Sequence, residues 1–260
     1  MKKRLDREYF EELYETSPDP WNFETSEYER KKYRRTLESL GERKFRRALE
    51  AGCSIGVFTE MLAPRCGELL AADASERAVS AARKRLEEFS HVRVERRTLP
   101  EEMPGGTFDL IIASEVLYFL DRETMLDTLR ILENSLEPGG LFLAVHWRKE
   151  TMTYPLQGDE VHGLIRSNTR LDHIRSEMEP EYRLDLFEAR DGRSGEPGGA
   201  SRSGTRSDAS GAGGRNEGVE TSAVEASGRV RRGFVGREAG SIEGERGGNT
   251  PTLDPRSERR

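Results

Sequence analysis

Two glycines and one aspartate are the first residues whose identities and separation indicate a ligand-binding site. Gly52 and Gly56 stand four positions apart, and Asp73 follows Gly52 by 21 residues. The turn between the glycines lacks the G-x-G-x-x-G pattern that lets a backbone approach a pyrophosphate at a helix N-terminus. A two-glycine turn suits a ligand without phosphates, and an acid at this distance can accept hydrogen bonds from ribose hydroxyls. Together these residues indicate a nucleoside cofactor such as S-adenosylmethionine.

An alternation of strands and helices would position these residues. Short apolar or alternating runs predict strands at residues 45–51, 68–73, 92–96, 108–114, 141–147 and 182–189. Helices are predicted near residues 9–14 and at 27–40, 57–63, 75–89, 121–136 and 159–167, with Ser75 and Asp121 as N-caps and a turn at 137–140. We therefore expect an α/β fold with a Rossmann-like, doubly wound, mostly parallel seven-stranded sheet and helices on both faces.

In such a sheet, ligands bind outside the carboxyl ends of the strands, where the strand order reverses. The residues that follow the predicted strands, in chain order, are Gly52 to Gly56, Asp73, Thr98 and Leu99, Ser114, Glu115 and Tyr118, and His146 and Trp147. The candidate site is therefore expected at this edge.

The charged residues (35%) slightly outnumber the apolar ones (34%), and the polarity is concentrated at one end. Residues 191–260 hold 16 of the 26 glycines, 12 arginines and no lysine, and only 7 of these 70 residues are large and apolar. Such a segment cannot bury enough apolar surface to offset its ordering entropy. We expect a helical cap or lid at residues 1–44, a catalytic domain at 45–190 and a disordered tail at 191–260.

Charge and composition also limit the classes of partner that we expect. Residues 1–190 carry 30 basic and 37 acidic side chains, which argues against a nucleic-acid-coating role. Neither the two cysteines nor the four histidines show metal-ligand spacing, so no metal is expected. The chain shows no signal peptide pattern and no run of about 18 apolar residues, so we expect a cytoplasmic protein without a membrane partner, monomeric or homodimeric.

Several segments together resemble a known enzyme class. Residues 50–60, Asp73, residues 108–120 and residues 136–140 look like class I S-adenosylmethionine-dependent methyltransferases. Asp19-Pro20-Trp21 and Tyr28-Glu29-Arg30 narrow the resemblance, which covers about residues 9–190, to the nodulation protein S (NodS-like) family. The resemblance implies N-methyl transfer to a de-N-acetylated amino sugar of a chitin oligomer.

The resemblance also implies roles for individual residues. Gly52, Cys53 and Gly56 would approach the methionine part and the ribose, and Glu50 is counted with them as cofactor-binding. Asp73 would bind the ribose, while Ala74, Thr98 and Leu99 would lie against adenine. Glu115 would face the methionine moiety or the acceptor, and Trp21 and Lys32 would close the site from the N-terminal region.

The acceptor end of the site leaves alternatives open. An amine must be neutral to attack, and Glu115, His146 or His162 could take its proton. Trp21, Tyr118, His146, Arg148 and Tyr154 are the candidate substrate-binding residues. The acceptor is a small molecule, with an amino sugar or oligosaccharide favoured over an oxygen or carbon acceptor. An NAD-dependent oxidoreductase or a non-catalytic Rossmann-like binding protein would share the fold.

Overall fold

The computed structural model describes residues 2–190; the predicted tail at residues 191–260 therefore lies outside the described residues. The helices are α1 (Arg7–Thr16), α2 (Glu27–Ser39), α3 (Val57–Leu62), α4 (Glu76–Arg85), α5 (Arg122–Asn134) and α6 (Gly158–Asn168). The strands are β1 (Phe45–Ala51), β2 (Cys66–Asp73), β3 (Val92–Arg96), β4 (Phe108–Ser114), β5 (Leu136–Trp147), β6 (Asp172–Met178) and β7 (Tyr182–Glu188).

The strands form one sheet in the order β3-β2-β1-β4-β5-β7-β6. The first five strands pair in parallel, whereas β7 runs antiparallel to both β5 and β6. The strand order reverses between β1 and β4, so a crevice opens at their carboxyl ends. The expected doubly wound, mostly parallel seven-stranded sheet is confirmed.

The central strand β4 shows why the sheet is buried on both faces. Ile111 belongs to an apolar cluster on one face, while Leu110 and Ile112 belong to a cluster on the other face. Because side chains alternate across a strand, an unbroken apolar run suits only a strand that is covered on both sides. This burial holds the carboxyl ends of β1 and β4 rigidly around the crevice.

Two predicted helix caps set the geometry near the site. Ser75 accepts a hydrogen bond from the backbone N–H of Ala78 at the start of α4, and Asp121 accepts one from Thr124 at the start of α5. Each side chain satisfies a donor that the first helical turn leaves unpaired. Both predicted N-caps are confirmed.

The strand β6 is the element that the sequence pattern did not locate. Its residues, Asp172–Met178, are mostly exposed at the edge of the sheet, and three of the seven are charged. An edge strand buries too little of either face to show an apolar stripe, and charged residues are typical of such an edge. Its pairing with β7 completes the sheet.

Some predicted boundaries were wrong by a few residues. The helix α4 ends at Arg85 rather than near residue 89, and α5 ends at Asn134 because Leu136 already pairs with Phe108. Residues 137–140, predicted as a turn, lie within β5 at an irregularity of its pairing with β4. In the described part of the chain, no helix is long and apolar enough to cross a membrane.

Candidate active site

A cavity of about 590 Å³ lies at the carboxyl ends of β1, β2 and β4 and is covered by α1 and α2. Its volume is typical of small-molecule and cofactor sites. The sequence-predicted residues that line it are Trp21, Lys32, Glu50, Gly52, Cys53, Asp73, Ala74, Thr98, Leu99, Glu115 and Tyr118. The remaining candidates do not line it: Gly56, His146, Arg148, Tyr154 and His162.

The glycine turn after β1 has a geometry that requires glycine at two positions. Gly52 has a φ of 80°, and a Cβ atom there would stand 2.9 Å from Cβ of Val116. Gly56 has a φ of 82°, and its Cβ would meet Ala82 on α4 at 3.1 Å. Left-handed backbone and close packing both favour glycine. Gly52 therefore shapes the cavity wall, while Gly56 serves the packing of the turn against α4.

The carboxylate of Asp73 is fixed at the end of β2 by two backbone donors. Ser54 N–H donates to Oδ2 over 2.8 Å, and Ser75 N–H donates to Oδ1 over 3.0 Å. Burial raises the pKa of Asp73, while these backbone hydrogen bonds act in the opposite direction. Each carboxylate oxygen retains a further lone pair. Asp73 therefore retains acceptor capacity for a ligand beside Ala74 and Thr98, which line the same cavity.

Glu50 is a buried acid in the wall of this cavity. Its Oε2 has no hydrogen-bond partner among the described residues. Burial, reinforced by the negative charge of Asp73, raises the pKa of Glu50 to about 8. A buried acid of this kind is stabilised by a cationic ligand. Burial likewise raises the pKa of the Cys53 thiol, which keeps it a neutral packing group rather than a nucleophile.

The helix α1 contributes residues that the sequence analysis did not single out. Glu11 accepts hydrogen bonds from the Glu76 N–H (2.6 Å) and the Ser75 hydroxyl (3.0 Å) at the N-terminus of α4. The hydroxyl of Tyr14 donates to the Ser54 hydroxyl in the glycine turn. An acid at a helix N-terminus satisfies unpaired N–H groups and complements the helix dipole. These contacts bring α1 over the Asp73 end of the cavity.

A buried ion-pair cluster lies at the opposite end of the cavity. Nζ of Lys32 lies 2.7 Å from Oε1 of Glu115 and 2.7 Å from Oε2 of Glu29. The other oxygen of Glu115 accepts hydrogen bonds from the Tyr118 hydroxyl (2.6 Å) and the Trp147 backbone N–H (2.9 Å). The cluster joins α2 to the ends of β4 and β5 and holds the Glu115 carboxylate in one orientation.

The backbone and the charges of this cluster are consistent with a functional site. Glu115 has a φ of 56°, a left-handed conformation that costs energy for a residue with a side chain. Although burial lowers the pKa of Lys32, the negative charges of Glu115 and Glu29 raise it above its usual range. Lys32 is therefore cationic. Glu29 belongs to the Tyr28-Glu29-Arg30 segment that supported the resemblance, and its i,i+3 spacing from Lys32 on a predicted helix was the sequence signal for this ion pair.

Aromatic rings close the cavity between its two ends. Trp21 stacks on Phe23 at a centroid distance of 5.6 Å and meets Tyr14 edge-on at 5.8 Å. Tyr118 stacks on Tyr154 at 4.7 Å, so Tyr154 supports Tyr118 from behind rather than lining the cavity itself. Rigid ring packing excludes water and orients the polar tips of these residues.

The remaining predicted residues lie behind or beside the cavity. His146 and His162 are fully buried and contact each other, and His162 contacts Asp185 of β7. Arg148 is paired with Asp159 at the surface. Asp185 was missed, although an acid between two leucines of an apolar strand is a sign of a buried, paired carboxylate.

The comparisons with known proteins point to one family. The profile of the family described as Nodulation protein S (NodS) matches residues 8–153. Nodulation protein S of Sinorhizobium fredii is 35% identical over 124 residues, which cover 47% of this chain and 57% of that protein. The corresponding protein of Bradyrhizobium diazoefficiens is 37% identical over 122 residues, covering 46% of this chain and 58% of that protein.

A solved structure extends the similarity over the fold. The crystal structure of the N-methyltransferase NodS from Bradyrhizobium japonicum in complex with S-adenosyl-L-homocysteine matches with a TM-score of 0.64 and 25% identity. The match covers 71% of this chain and 99% of that one. In sequence, the chain spans a little more than half the length of the curated relatives it matches.

Proposed function

The chain belongs to the nodulation protein S family, and from this premise we propose that it is an S-adenosylmethionine-dependent N-methyltransferase. The proposed acceptor is the free amine of an amino sugar, such as a de-N-acetylated chitin oligomer. The observation that carries the proposal is the pairing of an unpartnered buried acid, Glu50, with the anchored carboxylate of Asp73 in one cavity. The two acids suit a ligand with a cationic end and a sugar diol.

The residues present fit this cofactor. Glu50 would hold the ammonium of the methionine part, because that carboxylate oxygen lacks a partner in the described residues. Asp73 would accept the ribose hydroxyls, since its oxygens are oriented by Ser54 and Ser75 and keep free lone pairs. Ala74, Thr98 and Leu99 would lie against the adenine. Gly52 lets Val116 pack closely against the turn in the cavity wall, where a side chain on residue 52 would collide with Val116.

When bound, the cofactor supplies a methyl group on a sulfonium, which an amine attacks in line. The electrophile is already activated, so the protein mainly aligns the reactants and excludes water. The N-terminal helices and the ring of Trp21 cover the cavity and serve the second task.

Glu115 is the residue proposed to contact the acceptor amine. Its carboxylate accepts from Lys32, Tyr118 and Trp147, which leaves one of about four acceptor positions free. A carboxylate held in this way can orient the amine and accept its proton. His146 and His162 are weaker candidates for the base because they do not line the cavity.

Isothermal titration calorimetry and a methyl-transfer assay test the proposal. We expect micromolar binding of S-adenosylmethionine and S-adenosylhomocysteine, no comparable binding of NAD, and the gain of one methyl group on the amine of a de-N-acetylated chitin oligomer. The fully N-acetylated oligomer is the matched control, since it offers only hydroxyls and amides. Binding of NAD instead would support an oxidoreductase, and methylation of the acetylated oligomer would move the acceptor from nitrogen to oxygen.

Asp73→Ala tests the ribose assignment in the same titration. We expect a loss of cofactor affinity of about 10- to 100-fold, because a hydrogen bond to a charged group contributes about 1.5–3 kcal/mol. An unchanged affinity would refute the assignment of Asp73, and with it the orientation of the cofactor along the cavity.

A further inference from the structure

A chain of hydrogen bonds between buried groups runs behind the acceptor end of the cavity. It starts at the backbone N–H of Leu117, which donates to Nε2 of His146 over 3.3 Å. Nδ1 of His146 lies 3.2 Å from Nε2 of His162. Nδ1 of His162 lies 2.8 Å from Oδ2 of Asp185. The three side chains come from β5, α6 and β7 and are fully buried.

The first donor, the Leu117 N–H, determines which ring nitrogen of each histidine carries the proton. An amide N–H can only donate, so Nε2 of His146 carries a lone pair and its Nδ1 carries the proton. That proton is donated to Nε2 of His162, which places the His162 proton on Nδ1. The His162 proton in turn faces the Asp185 carboxylate, which accepts it in a hydrogen bond. Both imidazoles are therefore neutral Nδ1–H tautomers whose two nitrogens are both engaged.

The charges around the histidines favour this neutral state. Burial lowers the pKa of His146 well below its ordinary value, and the nearby His162 and Lys32 act in the same direction against the attraction of Asp185. Burial also lowers the pKa of His162. An added proton on Nε2 of either ring would place two N–H groups against each other. Neither ring can accept a proton without the loss of one of these hydrogen bonds.

The groups around Asp185 and His162 keep the Asp185 end of this hydrogen-bond series charged and fixed. Oδ2 of Asp185 lies 2.9 Å from an Nη of Arg183, and Oδ1 lies 3.2 Å from Nε2 of His173. Although burial raises the pKa of Asp185, the hydrogen bond from His162 and the charge of Arg183 hold it below its usual range. Arg183 and Asp159 are the other charged groups that act on His162.

The Leu117 end of this hydrogen-bond series contacts the proposed acceptor site. Leu117 begins a 3₁₀ turn, Leu117–Phe119, that directly follows Glu115 and Val116. The ring of His146 meets the ring of Tyr118 edge-on at 5.3 Å, and the Tyr118 hydroxyl donates to Glu115 over 2.6 Å. His146 thus contacts both the backbone and the aromatic side chain of this turn.

We propose that His146 and His162 are positioning residues for methyl transfer, which as neutral Nδ1–H tautomers anchor the turn that holds Tyr118 and Glu115 against the acceptor. This inference rests on the proposed function for its chemistry. It replaces the interpretation of the two histidines as general bases, because neither has a free nitrogen and neither lines the cavity.

The tautomers can be measured on the full chain without any acceptor. Long-range ¹H–¹⁵N correlation spectra should show His146 and His162 as neutral Nδ1–H rings at every pH from about 5.5 to 8.5. His91 is the internal control, since its Nε2 lies 3.0 Å from the Ala63 carbonyl and must carry the proton in the neutral ring. An Nε2–H tautomer for His146 or His162, or a titration of either ring within this range, would overturn the proposal.

Two substitutions at the same position then test the anchoring. The amide of His146→Gln can accept from Leu117 and donate to His162, whereas His146→Leu can do neither. We expect the Leu117 amide to lose at least about 10-fold of its hydrogen-exchange protection in His146→Leu and much less in His146→Gln. His91→Leu should leave this protection unchanged. Equal protection of Leu117 in the wild type and in His146→Leu would overturn the proposal, again without the need for an acceptor.

Kinetics with the de-N-acetylated chitin oligomer give the catalytic readout. We expect kcat to fall about 10- to 100-fold in His146→Leu and by less than about 5-fold in His146→Gln, with the Kd for S-adenosylhomocysteine within about 2-fold of the wild type. The pKa values of the pH–rate profile should not move. Loss of a limb of the profile in both variants would identify His146 as a base and overturn the proposal. A wild-type chain that binds S-adenosylhomocysteine but does not methylate the oligomer would refute the proposed acceptor alone, because the spectra and the exchange rates still decide the positioning role.

Discussion

At the scale of single residues, the cavity buries acidic side chains whose ionised form destabilises the folded protein when no ligand is bound. Asp73 and Glu50 are close enough for the charge of Asp73 to contribute to the raised pKa of Glu50. Such sites are typical of binding and catalysis, where stability is given up for function. The cost should therefore be visible in the free energy of unfolding and should disappear when the acid is replaced.

Glu50→Gln should stabilise the cofactor-free protein while weakening cofactor binding. The pKa of Glu50 is raised from 4.5 to about 8 in the folded state. A carboxyl group whose pKa is higher in the folded state favours folding at pH values below its unfolded-state pKa. This contribution is lost as the pH rises through the folded-state pKa. Urea unfolding should therefore show little difference between wild type and variant near pH 4.5 and a variant more stable by about 4 kcal/mol at pH 8.

Calorimetry with S-adenosylhomocysteine completes this test. The affinity of Glu50→Gln should fall about 10- to 100-fold, because an uncharged amide cannot replace a carboxylate opposite an ammonium. Glu68→Gln is the matched control, since Glu68 is an exposed acid of β2 next to the neighbouring strand β1. An unchanged affinity would exclude Glu50 from the cofactor site.

At the scale of elements, the helices α1 and α2 complete a site that the sheet alone leaves open. The helix α2 brings Lys32 to Glu115, and α1 reaches the N-terminus of α4 through Glu11. Both helices precede the strands in the chain and contribute side chains to the cavity lining. We therefore propose that residues 1–44 act as a cap, which these two contacts hold in place.

Glu11→Gln should loosen α1 and reduce cofactor affinity together. The carboxylate accepts from the Glu76 N–H and the Ser75 hydroxyl, and loss of its charge weakens both bonds and the interaction with the helix dipole. We expect about a 3- to 10-fold weaker Kd for S-adenosylhomocysteine and a loss of about 1 kcal/mol in the free energy of unfolding.

The control for this prediction is Glu15→Gln, whose carboxylate pairs with Arg77 at the exposed surface of the same helix. It should leave both quantities near their wild-type values, because exposed pairs contribute little. Amide hydrogen exchange of α1 in the two variants separates local release from global unfolding. Equal exchange in Glu11→Gln and wild type would show that the contact does not hold α1 in place.

At the scale of the whole molecule, every residue proposed for the site lies before residue 191. A chain that ends at Arg190 should therefore fold and bind S-adenosylhomocysteine with the Kd of the full chain, within about 2-fold. Circular dichroism, thermal unfolding and calorimetry of the two chains check this prediction. Loss of binding in a shortened chain that still unfolds cooperatively would assign a role in the site to residues 191–260.

The pattern of the sequence was sufficient for every strand of the sheet except β6 and for part of the cavity lining. Strands β1, β3 and β4 were predicted at their observed bounds, and Asp73 and Gly52 were placed at the cavity from their spacing. These features depend on a few neighbouring residues: apolar periodicity, a turn that needs glycine, and an acid at a strand end. Such local requirements can be recognised without knowledge of distant contacts.

The proposed acceptor end was determined by contacts between residues far apart in the chain. Lys32 and Glu115 are separated by 83 positions, and the hydrogen bond between them forms only after α2 lies across the end of β4. The same holds for His146 and His162, which the sequence presented as possible bases. The tertiary structure engages all four of their ring nitrogens, which no spacing could reveal. The amino-acid sequence therefore determined which reactive side chains were available. Long-range packing determined their protonation, their partners and their access to the cavity, because burial and hydrogen-bond geometry depend on the folded surroundings.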